Sequence, residues 1–133
     1  MKKNKLMCSI FCLLFVGSIL MSGCSKTVNG ITSGTYTMQG AQDEIIPPCI
    51  TFDAMEKTFS FSYDILSSYY SSGTWDFEKE QVVATTYDSK YVYIFEVVDN
   101  DTIRFMQMSS SHIAKTDGST PISDGTLFEF TNK

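Results

Sequence analysis

The sequence predicts an all-β domain, an antiparallel up-and-down meander of about eight strands that closes into a barrel. Short runs of β-branched and aromatic residues alternate with polar residues, which is the two-residue period of a half-buried strand. Turns rich in Asp and Asn separate successive runs, and such short turns make neighbouring strands antiparallel. No window shows a convincing helical period. A barrel removes exposed strand edges, and a β-sandwich is the alternative arrangement.

The N-terminal residues predict an export signal ahead of this domain. Lysines occupy positions 2, 3 and 5, and residues 6–21 are almost purely apolar, as in the n- and h-regions of a secretory signal. The apolar run has 16 residues, whereas a membrane-spanning helix needs about 20. We therefore expect residues 1–23 to be a signal peptide, which forms a helix before it is removed.

The signal ends in the residues MSGC at 21–24, which resemble the bacterial lipobox of Leu, a small residue, Gly or Ala, and Cys. Met21 stands at the first position, with Leu20 one residue earlier. The resemblance implies cleavage before Cys24 and lipid attachment to its thiol, and stable anchoring needs two or more acyl chains such as palmitate. An uncleaved signal anchor would leave the Gly23-Cys24 junction unexplained. We therefore expect a lipoprotein, anchored at the extracytoplasmic face of the cell membrane through Cys24.

After cleavage the chain is predicted to comprise a short polar tether over 24–33 and a single domain over 34–133. Its side chains then sum to −8, because 10 − 3 = 7 basic groups remain against 15 acidic ones. This charge repels nucleic acid, so no nucleic-acid partner is expected. Two of the four cysteines leave with the signal and Cys24 is lipidated, so the sequence predicts no internal disulfide. We interpret Cys49 as a small, partly buried apolar residue.

Each strand is predicted from a run of alternating residues between turn signals. The clearest run is FSFSY at 59–63, in which three rings face one side and two serines face the other, and FEF at 128–130 repeats the pattern. The intervening turns suit hairpins, since Asp and Asn bond their own backbone and tolerate left-handed angles. The strands are expected over residues 34–39, 49–53, 57–63, 73–78, 81–87, 90–98, 102–108 and 126–131.

Alternation along these strands also predicts which side chains face the barrel interior. An eight-stranded barrel is just wide enough for side chains to fill, or to hold one small ligand. Eleven large side chains are expected inside, and this number favours a packed core over a ligand pocket. They are Tyr36, Ile50, Phe52, Phe59, Phe61, Trp75, Phe77, Phe95, Phe105, Phe128 and Phe130.

A second resemblance rests on strand and turn motifs, which are ITF at 50–52, FSFSY at 59–63, LSSY at 66–69, GTW at 73–75, KTDG at 115–118 and SDGTLF at 123–128. They resemble a small domain found in lipoproteins of Firmicutes. Similar domains lie at the outer, C-terminal end of some membrane metallopeptidases of the β-lactam-sensor type. The resemblance covers the chain from about Gly34, with Trp75 where Tyr is expected. It implies a lipocalin-like barrel but no established activity and no site residues, and the zinc-binding His-Glu-x-x-His of the metallopeptidases is absent from the sequence.

The residues of the sequence do not combine into a catalytic or metal-binding set. A zinc site needs more nitrogen and sulfur ligands than Cys49 and His112, the one histidine, provide. No Gly-x-Ser-x-Gly elbow accompanies the many serines. The triplet at 99–101 (DND) lacks the further ligands and the glycine of an EF-hand loop. We therefore predict neither an enzyme nor a metal or cofactor.

Two long connections, 64–72 and 109–124, interrupt the meander. Long loops on a rigid β scaffold usually carry binding, and tyrosines bury a large area at small entropic cost. Tyr69, Tyr70 and His112 are therefore candidate binding residues. We interpret the domain as a non-enzymatic module that binds a protein, a peptide or a wall component through these loops. The alternative is a carrier or sensor of a small apolar ligand inside the barrel.

Overall fold

The structure, a computed structural model, describes residues 26–41, 43–113 and 122–131. The predicted signal helix at 1–23 and the predicted lipidation site Cys24 lie outside these residues. Within them, no helix is long and apolar enough to cross a membrane. A short 3₁₀ helix spans Gln107–Ser109. The strands are β1 (Thr27–Val28), β2 (Ile31–Thr32), β3 (Gly34–Met38), β4 (Cys49–Asp53), β5 (Thr58–Ser62), β6 (Ser71–Glu78), β7 (Gln81–Thr86), β8 (Val92–Val97), β9 (Thr102–Phe105) and β10 (Leu127–Thr131).

Strands β3 to β10 form a closed antiparallel barrel. Each strand pairs with the next along the chain, and β10 closes the barrel by pairing with β3, where Phe128 lies opposite Met38 and Thr131 opposite Thr35. The predicted up-and-down barrel is confirmed, and the β-sandwich alternative is excluded. Because a closed barrel has no edge strands, its wall offers no backbone groups for pairing with another chain.

The strand bounds follow the predicted ones to within three residues at each end, and the differences at β6 and β9 have local causes. Strand β6 begins at Ser71 rather than at Gly73, because Ser71 faces the interior and its hydroxyl lies 3.1 Å from the phenol oxygen of Tyr93. Strand β9 ends at Phe105 rather than at residue 108, since the chain enters the 3₁₀ helix there. Strand β4 coincides with its predicted range.

Residues 27–32, which lie in the predicted tether, form a β-hairpin that packs on the barrel. Strands β1 and β2 pair around a tight turn, and the side chain of Ile31 is fully buried in the core. The Thr32 backbone N–H donates to the phenol oxygen of Tyr36 at 2.9 Å. Folded structure therefore begins before residue 34, because this hairpin covers apolar side chains that would otherwise meet water.

Aromatic rings fill the barrel interior. Nine of the eleven side chains predicted to face inward are buried, and Phe77 and Phe130 are partly buried against the same core. Tyr93, which was not among the predicted set, is fully buried as well. The ring centroid of Phe61 lies 5.1 Å from that of Tyr93 and 5.8 Å from that of Phe95, in edge-to-face geometry. Aromatic quadrupoles prefer this arrangement, so the rings stabilise a packed core.

The two ends of the barrel differ in their connections. Long connections lie at one end of the barrel, which is called the loop end below. Short turns lie at the other end, which is called the turn end. The loop end comprises 63–70, 87–91 and the described parts of 39–48 and 106–126, and the turn end comprises 26–33, 54–57, 79–80 and 98–101. The Ser33 hydroxyl accepts a hydrogen bond from the Ala54 N–H at 2.8 Å, which fixes the N-terminal hairpin at the turn end. The chain therefore enters the fold opposite its long loops.

Candidate functional site

A cleft of about 220 Å³ opens at the loop end, beside the 63–70 connection. Its lining includes the edge of the buried ring of Phe61 and the more exposed side chains of Ile46, Ile65 and Tyr70. Ile46 comes from 39–48, a third long connection that the sequence did not single out. The cleft therefore joins two neighbouring loops above the aromatic core.

Exposed apolar side chains are concentrated at this end of the barrel. Among the described residues, nine large apolar side chains are exposed, and seven of them belong to the loop end. Single exposed apolar residues are ordinary, whereas contiguous patches of them are typical of interaction surfaces. The seven are Ile45, Ile46, Ile65, Leu66, Tyr70, Tyr87 and Met108, whereas Met55 and Val98 lie at the turn end.

Local hydrogen bonds hold the tip of the 63–70 connection outward. The Asp64 carboxylate accepts from the Leu66 N–H at 2.9 Å, and the Asp64 carbonyl accepts from the Ser67 N–H at 3.1 Å. Asp is suited to this turn because its short side chain reaches the backbone two residues on. The turn leaves Leu66 73 % exposed next to Ile65, which is also exposed. Apolar exposure at this tip therefore follows from a defined backbone conformation.

The two predicted binding tyrosines have different surroundings. The Tyr69 phenol donates to both carboxylate oxygens of Asp88, at 2.9 and 3.0 Å, and its ring lies edge-on to Tyr91 at 5.1 Å. Tyr70 is 67 % exposed. Tyr69 therefore fastens the 63–70 connection to the β7–β8 turn, whereas the ring of Tyr70 is exposed to solvent.

The pKa of Asp88 is lowered by hydrogen bonds within the β7–β8 turn. Its carboxylate accepts hydrogen bonds first from the Thr86 hydroxyl, at 2.7 Å, and then from the Lys90 N–H, at 3.1 Å, and these bonds hold its pKa below the usual range. Partial desolvation raises the pKa of Tyr69, and the nearby Asp88 carboxylate adds to that shift. At neutral pH the pair is therefore a phenol that donates to an ionised carboxylate.

We predict that Tyr69→Phe loosens the 63–70 connection and leaves the barrel intact. The change removes only the phenol oxygen, so the amides of Leu66 and Ser67 should exchange with solvent faster, while those of the barrel strands keep their protection. Hydrogen exchange followed by NMR measures this, with Tyr70→Phe as the matched control. Equal exchange of the loop amides in the parent and in Tyr69→Phe would contradict the fastening role.

The hydrogen bonds that Asp88 accepts, first from Thr86, then from the Lys90 N–H and from Tyr69, set a pH dependence with a defined sign. The pKa of Asp88 is lowered in the folded state. Its ionised carboxylate therefore stabilises the folded loop above the unfolded pKa of about 3.9, and this stabilisation is lost as the pH falls through the folded pKa. Protection factors of the loop amides should therefore fall with acid in the parent protein. In Tyr69→Phe this acid-dependent decrease should be smaller, because the phenol is absent.

The described residues of the second predicted binding loop pack on the end of the barrel. The Ser110 and Ser111 hydroxyls accept from the N–H groups of Ile94 and Val92, at 2.8 and 2.9 Å, where β8 extends beyond the end of β9. The side chains of Ile113 and Ile122, on either side of the undescribed residues 114–121, are buried in the core. The serine run and these isoleucines therefore have structural roles.

His112, the third predicted binding residue, lies exposed in this loop between Ser111 and Ile113. Met108 in the same loop is also exposed, at 89 %. Neither residue lines the cleft beside Tyr70. The structure therefore brings Tyr69 and Tyr70 to one site and leaves His112 at another part of the loop end.

Buried titratable groups of the described residues belong to the core and have partners. Burial raises the pKa of Tyr93, whose hydroxyl lies 3.1 Å from that of Ser71, and burial likewise raises the pKa of Tyr36. Both phenols therefore stay neutral at ordinary pH. In the described part of the chain, no three His, Cys, Asp or Glu side chains come together as a metal site.

The connections at the two ends also differ in charge. The described residues of the loop end include five acidic side chains and one basic side chain, which gives a net charge of 1 − 5 = −4. The described turn-end connections carry three basic and four acidic side chains, so that 3 − 4 = −1. The loop end thus combines exposed apolar side chains with a net negative charge.

Comparison of the chain with protein-family models, with curated proteins and with solved structures found no match. Its function is therefore inferred from the geometry of the loop end.

Proposed function

We propose that this chain is a lipoprotein whose barrel is a non-enzymatic binding module. Lipid on Cys24 holds it at the extracytoplasmic face of the cell membrane, and the loop end binds a protein or a peptide. The observation that carries the proposal is the group of seven exposed apolar side chains at the end of the barrel opposite the entry of the chain. Such a surface is stabilised when a partner covers it.

The position of the N-terminal hairpin supports this orientation. Lys26 is two residues after Cys24, a distance of at most about 7 Å along the chain. The Lys26 carbonyl accepts from the Ser33 N–H at 3.0 Å at the turn end, which supports an orientation in which a lipid on Cys24 holds the turn end next to the bilayer. The loop end then points away from the bilayer, and its net negative charge is repelled by anionic lipid head groups.

The size of the cleft favours a side chain of a polypeptide over a free small molecule. Sites for small molecules usually measure about 300–1,000 Å³, whereas the loop-end cleft measures about 220 Å³. A cleft of this size suits one apolar anchor residue of a partner, with Ile65, Leu66 and Tyr70 around it. The interlocked rings of the core occupy the interior that the carrier alternative would need.

Attachment through lipid predicts the behaviour of Cys24→Ala. Without the thiol no diacylglyceryl group is transferred, so the variant should keep its signal peptide or appear in the aqueous phase. The parent should lose the signal and partition into detergent. Metabolic labelling with palmitate and detergent phase separation measure both properties. A Cys24→Ala variant that is labelled and partitions like the parent would refute lipidation at this residue.

Binding through the loop end predicts that Ile65→Ser with Leu66→Ser reduces partner capture about tenfold or more, because both changes remove exposed apolar area. Met55→Ser with Val98→Ser is the matched control, since it removes two exposed apolar side chains at the turn end. Proteins linked to each variant by formaldehyde in intact host cells are compared after purification. Equal capture by both double variants would rule out the loop end as the binding surface.

A further inference from the structure

A second groove lies on the outer wall of the barrel and is distinct from the loop-end cleft. It measures about 480 Å³ and crosses strands β4, β5 and β6. Tyr70 and Tyr87 border it, and each is 67 % exposed. The two depressions share only Tyr70. The loop-end proposal therefore leaves most of this groove without a role.

The register of β6 and β7 explains why the two rings stand together. Gly73 pairs with Thr86, so Ser72 and Tyr87 are opposite each other, and the Tyr87 N–H donates to the Ser72 carbonyl at 3.0 Å. Tyr70 precedes Ser72 by two residues. Tyr70 is therefore close to the diagonal neighbour of Tyr87, and both rings line the same border of the groove.

A row of hydroxyl groups extends from these rings across the barrel wall. Ser72 pairs with Ser60, and Ser60 pairs with Thr51, so three hydroxyl side chains lie side by side on three neighbouring strands. Strand alternation points them outward, because the residues on either side of Ser60 are the buried rings Phe59 and Phe61. The row gives several donors and acceptors in one plane.

The lining of the groove distinguishes between classes of ligand. Among the described residues that line it, Asp53 is the one charged side chain, and none is basic. Without a basic side chain the groove does not attract phosphates or other anions. A closed barrel also provides no strand edge for a peptide backbone. Two aromatic faces next to a row of hydroxyls instead match a ring that has an apolar face and a hydroxylated rim.

We propose that this groove binds a neutral oligosaccharide. The C–H faces of two sugar rings stack on Tyr70 and Tyr87, and the ring hydroxyls exchange hydrogen bonds with Ser72, Ser60 and Thr51. The volume of about 480 Å³ falls within the usual range of small-ligand sites, about 300–1,000 Å³. At the outer face of a membrane such a ligand is a segment of a wall or surface glycan, so the groove adds a second ligand to the proposed function and shares Tyr70 and Tyr87 with the exposed apolar side chains of the loop end.

The test uses the mature lipid-bearing protein in detergent and saturation-transfer NMR. Tetramers of N-acetylglucosamine and of glucose are the neutral probes, and a tetramer of glucuronic acid is the anionic comparison. We expect transfer to at least one neutral probe and none to the anionic one. Absence of transfer to both neutral tetramers, or equal transfer to the anionic one, overturns the proposal.

Two variants assign the binding to the groove. Tyr87→Ala removes an exposed stacking face and should weaken the affinity for the neutral probe about tenfold, with an unchanged circular dichroism spectrum. Ser60→Leu should weaken it as well, since it removes a central hydroxyl without adding charge. Ile65→Ser with Leu66→Ser should leave the affinity unchanged, which separates this site from the loop-end cleft. Unchanged affinity in both Tyr87→Ala and Ser60→Leu overturns the assignment.

Discussion

Phe61→Ala is expected to lower the free energy of unfolding by about 3–5 kcal/mol, the usual cost of removing a buried ring from a well-packed core. The Phe61 side chain is 1 % exposed. Its neighbours are fixed by their own strands and cannot collapse fully into the space that the ring leaves. The rings that contact it are Tyr63, Tyr93, Phe95, Phe105 and Phe128.

Equilibrium denaturation by urea measures this effect. Tyr87→Ala is the control, because it also removes an aromatic ring but takes it from an exposed position just after β7. The control should lose less than about 1 kcal/mol, as is usual for exposed positions. A loss below about 1 kcal/mol for Phe61→Ala would mean that the ring does not pack at the centre of the core.

Gly73→Ala is expected to cost about 3 kcal/mol or more, through steric conflict rather than through a cavity. A β-carbon at Gly73 would lie 1.9 Å from the carbonyl oxygen of Thr85 and 2.7 Å from the α-carbon of Thr86. Both contacts are with backbone, which cannot rotate away as a side chain does. The alanine therefore forces β6 and β7 apart at the place where Gly73 pairs with Thr86.

The neighbouring position provides the control for this prediction. Thr74→Ala shortens an exposed side chain one residue further along β6 and should change the free energy of unfolding by less than about 1 kcal/mol. Thermal and urea denaturation of both variants measure the difference. A Gly73→Ala protein as stable as the parent would show that the two strands approach less closely than the structure indicates.

Much of the barrel follows from the sequence because strand alternation is a local property. The run at 59–63 alternates rings and serines, and the structure buries Phe59 and Phe61 and turns Ser60 outward. Strand β4 begins and ends at its predicted residues for the same reason. Turn residues at 99–101 then bring β8 and β9 together. Local pattern and short turns are sufficient to define a meander.

The N-terminal hairpin was missed although a signal for it is present. Asn29 and Gly30 both have positive φ, at 52° and 78°, and an Asn-Gly pair is the strongest short-range indication of a two-residue hairpin turn. Val28 and Ile31 flank the pair. The small polar residues around it favoured a tether, whereas the burial of Ile31 depends on the barrel end that it covers.

The candidate site was predictable only in part, because it depends on contacts between distant segments. The sequence indicates that 64–72 is a loop and that Tyr69 and Tyr70 lie in it. The two tyrosines have different roles because Tyr69 bonds to Asp88, which is 19 residues away in the sequence. The contribution of Ile46 depends on closure of the barrel, which brings the 39–48 connection beside the 63–70 connection. Neither contact has a signature in local sequence.

The most direct test of binding through the loop end is photo-crosslinking in intact cells of the host. The photoreactive amino acid p-benzoylphenylalanine replaces either Leu66, at the tip of the loop end, or Met55, which is exposed to a similar degree at the turn end. We predict a discrete adduct with a polypeptide from position 66 and none of that mass from position 55. The same adduct from both positions, or from position 55 alone, would contradict the loop end as the binding surface.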